Sequence, residues 1–171
     1  MKKFTPHYFF VNALIITGTL ITFSSRAQFI TKWRTTINNE IITIPTTGQG
    51  YNYSIDWGDG NISTGQTGDA MNTYSSPGIY TVIITGTFPR IYFVKEINSR
   101  SKIIDISKWG SNPWTSMDLA FDSCTNLNIS ATDTPVLTGV SDMSYMFWNC
   151  KKLDPRGTAA TALNNWHTDN I

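Results

Sequence analysis

The two cysteines are the residues whose spacing first suggests chemistry. Cys150 follows Cys124 at the same interval at which Phe147 follows Phe121, so each cysteine stands at the same place after a phenylalanine. A fixed period between about 20 and 50 residues is typical of stacked repeat units. Equivalent positions on stacked units lie about 5 Å apart, which a disulfide tolerates, although parallel side chains in such a ladder also leave free, buried thiols. The spacing therefore predicts either a Cys124–Cys150 disulfide or two thiols in a core.

Two carboxylates beside a glycine-rich turn form the second candidate site. Asp56 and Asp59 flank Gly58, and Gly60 follows them. Their oxygens could bind calcium, or they could accept backbone N–H groups within the turn. Calcium takes about six to eight oxygen ligands, and this segment lacks the dense series of Asp, Asn and Glu found in a dedicated calcium loop. A structural role in the turn is therefore favoured over a metal site.

The sequence carries no recognisable catalytic motif. It has no G-x-S-x-G, H-E-x-x-H, P-loop or G-x-G-x-x-G pattern and no C-x-x-C pair. His167 is the one histidine that follows Ala27, which leaves little support for a Ser-His-Asp triad or a Cys/His zinc site. We expect no enzymatic activity and no cofactor.

The N-terminal segment, which precedes the strands and repeats that position these residues, is typical of an exported protein. Lys2 and Lys3 precede an apolar run over residues 8–23, and Ser25 and Ala27 supply small residues for cleavage by signal peptidase. The run is shorter and more polar than the roughly 20 apolar residues of a membrane-spanning helix. We therefore expect residues 1–27 to be a cleaved signal peptide, with an uncleaved anchor as the alternative. The expected location is secreted or cell-surface, with no membrane span after cleavage.

The net charge and the amino-acid composition limit the classes of partner that the protein can bind. Removal of Lys2, Lys3 and Arg26 changes the formal net charge from +1 to −2, which argues against binding to nucleic acid because phosphates need a concentrated basic face. Charged residues make up 15% of the chain, against about 25% in ordinary globular domains. Abundant Thr, Ser, Asn, Gly and aromatic residues are typical of a secreted, β-rich protein.

Residues 29–94 have the short strands and frequent turns of a β-sandwich. Residues 51–57 alternate apolar and polar side chains and end in a Gly-Asp-Gly turn, whereas residues 79–85 are almost entirely apolar and are predicted to form a central strand. Ser76-Pro77-Gly78 makes a turn before that strand. Weaker strands are predicted at residues 41–44, 72–74 and 90–94.

Two segments of this first module carry a family resemblance, IDWGDG at residues 55–60 and NTYSSPGIYTV at residues 72–82. They are similar to motifs of the PKD-like, immunoglobulin-type modules of extracellular proteins, except that Asn72 stands where those modules usually carry His. The segment is also shorter than a full module. The resemblance implies a β-sandwich in which Trp57, Tyr74 and Tyr80 are core aromatics.

Residues 95–171 form the second predicted module and contain the repeat. The apolar positions that recur at the interval of the two cysteines are Met117, Phe121 and Leu127, which return as Met143, Phe147 and Leu153. Apolar residues at a fixed repeat period form a continuous core between stacked units, each of which buries its apolar face only against a neighbour. The pattern predicts a structural role for these six positions.

The second copy carries a closer resemblance, in VSDMSYMFWNC at residues 140–150, then Leu153 and Trp166. It is similar to the BspA-type leucine-rich repeats of bacterial surface proteins, although Ala120 replaces the second Met of the motif in the first copy. The resemblance implies a curved stack of strand and short-helix units. The predicted fold is therefore mainly β, a PKD-like β-sandwich followed by a leucine-rich-repeat solenoid fragment. Because Trp166 begins a further unit, we expect a longer reading frame.

These patterns predict an exported, non-catalytic protein that binds an extracellular protein ligand, as in adhesion, through its repeat array. Trp114 and Trp148 are candidate anchors if they are exposed, and packing between repeats is the alternative for each. Carbohydrate binding is the competing function, because PKD-like modules often accompany polysaccharide-degrading enzymes and the chain is rich in Trp and Tyr. A role as a spacer module of a larger secreted protein is a third alternative.

Overall fold

The computed structural model describes residues 28–153 and 162–169. The predicted signal peptide lies outside these residues. The described residues include seven β-strands and a short 3-10 helix, η1. Their bounds are β1 Phe29–Thr35, β2 Glu40–Ile44, β3 Asn52–Asp56, β4 Ile62–Gln66, β5 Ala70–Tyr74, β6 Gly78–Thr87, η1 Phe93–Lys95 and β7 Ile103–Lys108.

The strands form two antiparallel sheets that pack as in a β-sandwich. The larger sheet has the order β4-β3-β6-β1-β7, and the smaller sheet pairs β2 with β5. Buried residues from both sheets belong to one core, and Tyr74 of the smaller sheet lies against Tyr80 of the larger one at 4.1 Å between ring centroids. The prediction of a mainly β fold is confirmed, and so is the central position predicted for the strand at residues 79–85.

The hairpin between β3 and β4 forms where the sequence predicts it. Tyr53 and Ile55 are buried and alternate with outward-facing polar residues, as expected for a strand with one face on the core. Gly58 and Gly60 have φ angles of 75° and 94°. Gly58 also leaves no room for a side chain, because a Cβ there would lie 2.4 Å from the carbonyl oxygen of Thr81.

The prediction of a strand at residues 90–94 is wrong. Residues 88–92 have no regular secondary structure, and η1 begins at Phe93. The carbonyls of Phe93 and Val94 accept bonds from the guanidinium of Arg100, so a side chain satisfies groups that a neighbouring strand would otherwise pair.

The sequence patterns also missed β1, which lies between β6 and β7 in the larger sheet. Phe29, Thr31, Trp33 and Thr35 are all buried on one face of this strand. Two of the four are threonines, which masks the apolar alternation. Thr31 is accommodated because its hydroxyl oxygen accepts a 2.8 Å bond from the indole N–H of Trp33.

β7 joins the sandwich to the repeat region. One side of β7 pairs antiparallel with β1. On the other side Ile106 makes a parallel bridge to Ile129, with backbone bonds from Ile106 to Asn128 at 2.9 Å and from Ser130 to Ile106 at 3.0 Å. The larger sheet thus continues past residue 95, where the sequence predicts a new module. A single buried core extends from Phe29 to Met146.

Aromatic residues fill the core beside this junction. The ring of Phe29 lies 5.7 Å from Trp109 and 5.1 Å from Trp114, measured between centroids. Within residues 28–153 and 162–169, no helix is long and apolar enough to cross a membrane.

Candidate functional site

The first copy (residues 117–127) and the second copy (residues 143–153) share one turn geometry. In each, every second N–H donates to the carbonyl three residues earlier. The bonds join Ala120 to Met117, Asp122 to Leu119 and Cys124 to Phe121, then Met146 to Met143, Trp148 to Tyr145 and Cys150 to Phe147. Left-handed φ angles of 52–57° recur at Leu119, Ser123, Tyr145 and Asn149. The repeat in sequence is therefore also a repeat in backbone conformation.

The intervening N–H groups of the first copy bind the second copy. They belong to Met117, Leu119, Phe121 and Ser123 and donate to the carbonyls of Asp142, Ser144, Met146 and Trp148, at 3.0, 2.9, 2.9 and 2.8 Å. The rings of Phe121 and Phe147 stack 5.7 Å apart with an interplanar angle of 15°. The two copies are thus stacked in parallel and joined by both backbone and side chains.

Stacking buries the first copy more completely than the second. Met117, Phe121, Cys124 and Leu127 are all fully buried, whereas their equivalents in the second copy, Met143, Phe147, Cys150 and Leu153, are only partly buried. All eight side chains contribute to the core or pack against it.

The sandwich holds the opposite side of the first copy through ion pairs. Arg90 lies 3.1 Å from Asp118, and Arg100 lies 3.4 Å from Asp122, with all four side chains partly buried. Arg90 also donates to the backbone carbonyl of Asp118 at 3.1 Å. The first copy is therefore held between the sandwich and the second copy.

A buried carboxylate joins β7 to the chain that follows the first copy. Asp105 accepts bonds from the N–H and hydroxyl of Ser130, at 3.0 and 2.7 Å, and from the hydroxyl of Ser107 at 2.6 Å. The ammonium of Lys32 on β1 lies 3.5 Å from the same carboxylate. Asp105 thus connects three neighbouring segments of the extended sheet.

Between the second copy and residues 163–168 lies an open groove of about 710 Å³, here named the end groove. It is lined by Met143, Tyr145, Met146, Phe147, Trp148, Leu163, Asn164, Trp166 and Thr168. Tyr145 and Trp148 are 62% and 61% exposed, and their rings meet edge to face at 5.6 Å. An apolar groove bordered by exposed aromatic residues is a surface suited to binding a macromolecule.

The two tryptophans predicted as candidate anchors lie in different environments. Trp114 is 1% exposed and packs edge to face against Trp109 at 6.1 Å, so the condition of exposure is not met there. Trp148 meets that condition. Tyr145 was missed, because nothing in its residue type separates it from the other variable positions of the motif.

The two cysteines are free thiols in this structure. Burial raises the pKa of Cys150 to about 11, and burial raises the pKa of Cys124 still further. The sulfur of Cys150 lies 3.1 Å from the carbonyl oxygen of Phe121, so this thiol is engaged with the first copy. Both groups are largely protonated at neutral pH, which makes them poor nucleophiles.

Asp56 and Asp59 accept hydrogen bonds inside the β3–β4 turn. Asp56 accepts the N–H of Gly58 at 2.9 Å, and Asp59 accepts the N–H of Asn61 at 3.0 Å. The amide of Asn72 donates to Asp59 at 2.7 Å. Among the described residues, no group of three or more His, Cys, Asp or Glu side chains is placed to hold a metal ion. His167 is exposed beside Trp166.

Comparisons with protein-family models, with curated proteins and with solved structures return no match for this chain.

Proposed function

We propose that this chain is an exported, non-catalytic binding protein that contacts a protein ligand through the exposed edge of its repeat array. In this proposal residues 95–171 form part of a BspA-type leucine-rich-repeat solenoid, and residues 29–94 form a PKD-like sandwich that closes its N-terminal end. The observation that carries the proposal is the pair of exposed aromatic residues, Tyr145 and Trp148, beside the end groove.

The stacking of the two copies supports a solenoid. Their backbone turns recur at the same interval as the sequence repeat, and the N–H groups of one copy bind the carbonyls of the next. Such contacts between neighbours only are the basis of repeat architectures, and their rigid surfaces commonly bind proteins. The parallel bridges at Ile106 and Pro113 continue the same stacking toward the sandwich.

The surroundings of the reactive side chains support a non-catalytic role. Burial keeps the thiols of Cys124 and Cys150 protonated at neutral pH, and the carboxylates of Asp56 and Asp59 are occupied by turn hydrogen bonds. A surface of exposed aromatic residues needs no titrating group to bind a protein, because buried apolar area and hydrogen bonds supply the affinity.

An array of probes tests the binding role. The purified chain is incubated with immobilised extracellular-matrix and serum proteins and, in parallel, with insoluble cellulose and chitin. We expect saturable binding to at least one protein. The double variant Tyr145→Ala/Trp148→Ala should bind that protein about tenfold more weakly or worse, as is typical for aromatic anchors.

The matched control is Ile97→Ala, since Ile97 is 73% exposed but lies outside both copies and the end groove. It should bind as the unmodified chain does. Binding to polysaccharide with no protein bound, or equal protein binding by the double variant, would contradict the proposal. Circular dichroism of each variant checks that the fold is retained.

Export is tested separately. The chain is expressed in a bacterium with a C-terminal tag, and the N-terminus of tagged protein from the medium and envelope is sequenced. We expect the mature chain to begin at Gln28. Tagged protein found in the cytoplasm alone, with Met1 retained, would contradict the proposed location.

A further inference from the structure

A half-open groove of about 400 Å³ lies on the outer face of the larger sheet, over β3, β4 and β6. It is here named the sheet groove. Its described polar lining consists of five side chains, those of Gln28, Ser54, Asp56, Thr64 and Thr85. None of its described lining residues lies in either copy of the repeat, so the sheet groove is separate from the end groove.

The pairing of three strands places the hydroxyl groups of the sheet groove next to one another. Ser54 on β3 pairs with Thr85 on β6. The register with β4 shifts at Ser54, so that Thr64 and Gly65 both lie opposite it. A bulge of this kind redirects a side chain, and Gly65 allows it with a φ of 64°. Ser54, Thr64 and Thr85 therefore form a row of hydroxyl groups across the sheet.

The next row of the outer face places a carboxylate between two aliphatic side chains. Asp56 pairs with Ile62 on β4 and with Ile83 on β6, and both isoleucines line the sheet groove. Ile62 is 69% exposed, and Ile83 is partly buried. The N–H of Gly58 donates to the Asp56 carboxylate at 2.9 Å, which holds this carboxylate in place beside the groove.

Gln28 closes the end of the sheet groove nearest β1. Phe29 pairs with Ile84, and the same register carries Gln28 to the position beside Thr85. The backbone of Gln28 packs so closely against Gly110 that no side chain could be added there. The amide of Gln28, which can both donate and accept hydrogen bonds, is therefore supplied from a fixed point of the backbone.

The chemistry of this lining suits a neutral ligand that is rich in hydroxyl groups. Hydroxyl and amide side chains both donate and accept hydrogen bonds, and a carboxylate is a strong acceptor for a hydroxyl. Among the described residues that line the groove, Asp56 is the one with a charge, and its negative charge disfavours phosphate and other anions. The aliphatic side chains offer an apolar surface for the C–H groups of a ring. The groove also has the volume of a small-molecule site.

We propose that the sheet groove binds a neutral sugar ring of an oligosaccharide or polysaccharide. The C–H face of the ring packs on Ile62 and Ile83, while its hydroxyl groups bond to Asp56, to the row of hydroxyl side chains and to Gln28. This site goes beyond the proposed function, in which the repeat array contacts a protein, because it gives the sandwich a ligand of its own.

Two other ligands fit the sheet groove less well. Calcium takes about six to eight oxygen ligands, and the described lining offers one carboxylate. A lysine side chain of a partner would pair with Asp56 alone and leave the row of hydroxyl groups unused. An exposed ion pair of that kind contributes little to affinity.

A titration with sugars, followed by nuclear magnetic resonance, tests the proposal. Amide signals of the purified chain are recorded while cellotriose, N-acetylchitotriose or xylotriose is added. We expect at least one of these sugars to cause saturable shifts at Ser54, Asp56, Thr64 and Thr85. The amide signals of residues 143–149 should stay in place.

Two variants and a matched control locate the site. Thr85→Val removes a hydroxyl but keeps the branched shape, and it should weaken sugar binding by about fivefold, the effect of one hydrogen bond. Asp56→Asn should weaken binding by about tenfold, because hydrogen bonds to a charged acceptor are stronger. The control is Thr81→Val, the same change on the same strand and face but outside the groove, and it should bind as the unmodified chain does. Circular dichroism checks the fold of each variant.

Three results would overturn the inference. They are the absence of shifts with all of these sugars, equal weakening by Thr85→Val and Thr81→Val, and shifts confined to the end groove. Acetyl-lysine amide is the competing probe, and equal shifts with it would show an ammonium site instead. Failure of sugar binding leaves the proposed protein binding through Tyr145 and Trp148 intact, because the described linings of the two grooves share no residue.

Discussion

The first and second copies of the repeat have the same apolar pattern and the same turns, but they differ in what lies on either side. The first copy contacts the sandwich on one flank and the second copy on the other, and Phe121 is 0% exposed. The second copy has the first copy on one flank and, among the described residues, Trp166 at 6.3 Å from Phe147 on the other, and Phe147 is only partly buried. Burial in a stacked array is therefore a property of the neighbour as much as of the residue.

The sandwich contributes to this difference by closing one end of the stack. β7 is both the edge strand of the larger sheet and the strand to which the chain after the first copy pairs in parallel. Arg90 and Arg100 complete the contact by pairing with Asp118 and Asp122. The equivalent second-copy positions are Ser144 and Trp148, which carry no charge for such a pair.

The largest expected difference between the copies concerns the two stacked phenylalanines. Phe121→Ala removes a fully buried ring that contacts Phe93, Trp109 and Phe147, and it should lower the free energy of unfolding by about 3–5 kcal/mol. Phe147→Ala should cost about 1–2 kcal/mol, because this ring is only partly buried. Urea denaturation followed by tryptophan fluorescence measures both changes. Equal losses would show that the two copies are equally covered.

The two copies should also differ in the reactivity of their cysteine thiols. Burial raises the pKa of Cys150 from 9.0 to about 11, so its thiolate fraction at pH 8 falls about 100-fold below that of an ordinary cysteine. Alkylation of Cys150 by iodoacetamide should therefore be slow at pH 8 and rise about tenfold per pH unit up to about pH 11. Cys124 is fully buried and should react only when the protein unfolds.

Peptide mapping by mass spectrometry after timed alkylation assigns each rate to its cysteine. The urea-unfolded chain is the control, in which both thiols should react at similar rates. If Cys124 reacts as fast as Cys150 in the folded chain, the first copy is open to solvent. A Cys124–Cys150 disulfide would instead block both reactions until a reductant is added.

Most of the sandwich strands could be predicted from sequence because their patterns are local. Tyr53 and Ile55 alternate with polar residues, and glycines mark the turn that follows. β1 was missed because Thr31 and Thr35 occupy core positions. The strand predicted at residues 90–94 was wrong because the guanidinium of Arg100, from a different segment, satisfies the backbone there.

The repeat was predictable in its apolar positions and unpredictable in its exposed edge. Phe121 and Phe147 have the same residue type and the same position in the repeat, and their different burial follows from what is packed on either side of each copy. Positive φ at Leu119 and Tyr145 is also absent from the sequence pattern, since these residue types rarely adopt it. The row of N–H groups by which the first copy binds the second follows from that conformation and therefore could not be inferred from residue types.

Removing the charge of Asp105, at the junction between β7 and the chain that follows the first copy, tests how far the sandwich stabilises the repeat. Asp105→Asn keeps the shape of the side chain but weakens bonds to Ser107 and Ser130 and the ion pair with Lys32. Because the carboxylate is buried, we expect a loss of about 2 kcal/mol in the free energy of unfolding. Asp142→Asn is the matched control, as Asp142 is exposed and accepts the N–H of Ser144.

Denaturation of the two variants side by side measures the contrast, and a smaller change is expected for Asp142→Asn. Amide exchange should also rise at Asn128 and Ser130 in Asp105→Asn, because both pair with β7. If Asp105→Asn is no less stable than Asp142→Asn, the junction carboxylate does not hold the repeat to the sandwich.

The smallest expected effect concerns the left-handed position shared by both copies. Ser123 and Asn149 have the same φ of 57°, but asparagine tolerates this conformation better because its short polar side chain bonds locally. Ser123→Asn should therefore raise the free energy of unfolding by about 0.5 kcal/mol, and Asn149→Ser should lower it by a similar amount. Urea midpoints measured in parallel show whether Ser123→Asn raises and Asn149→Ser lowers the stability. The double variant Ser123→Asn/Asn149→Ser should have almost the same stability as the unmodified chain. Changes of the same sign in both single variants would contradict a common backbone strain and would point to the 3.5 Å contact between the two side chains instead.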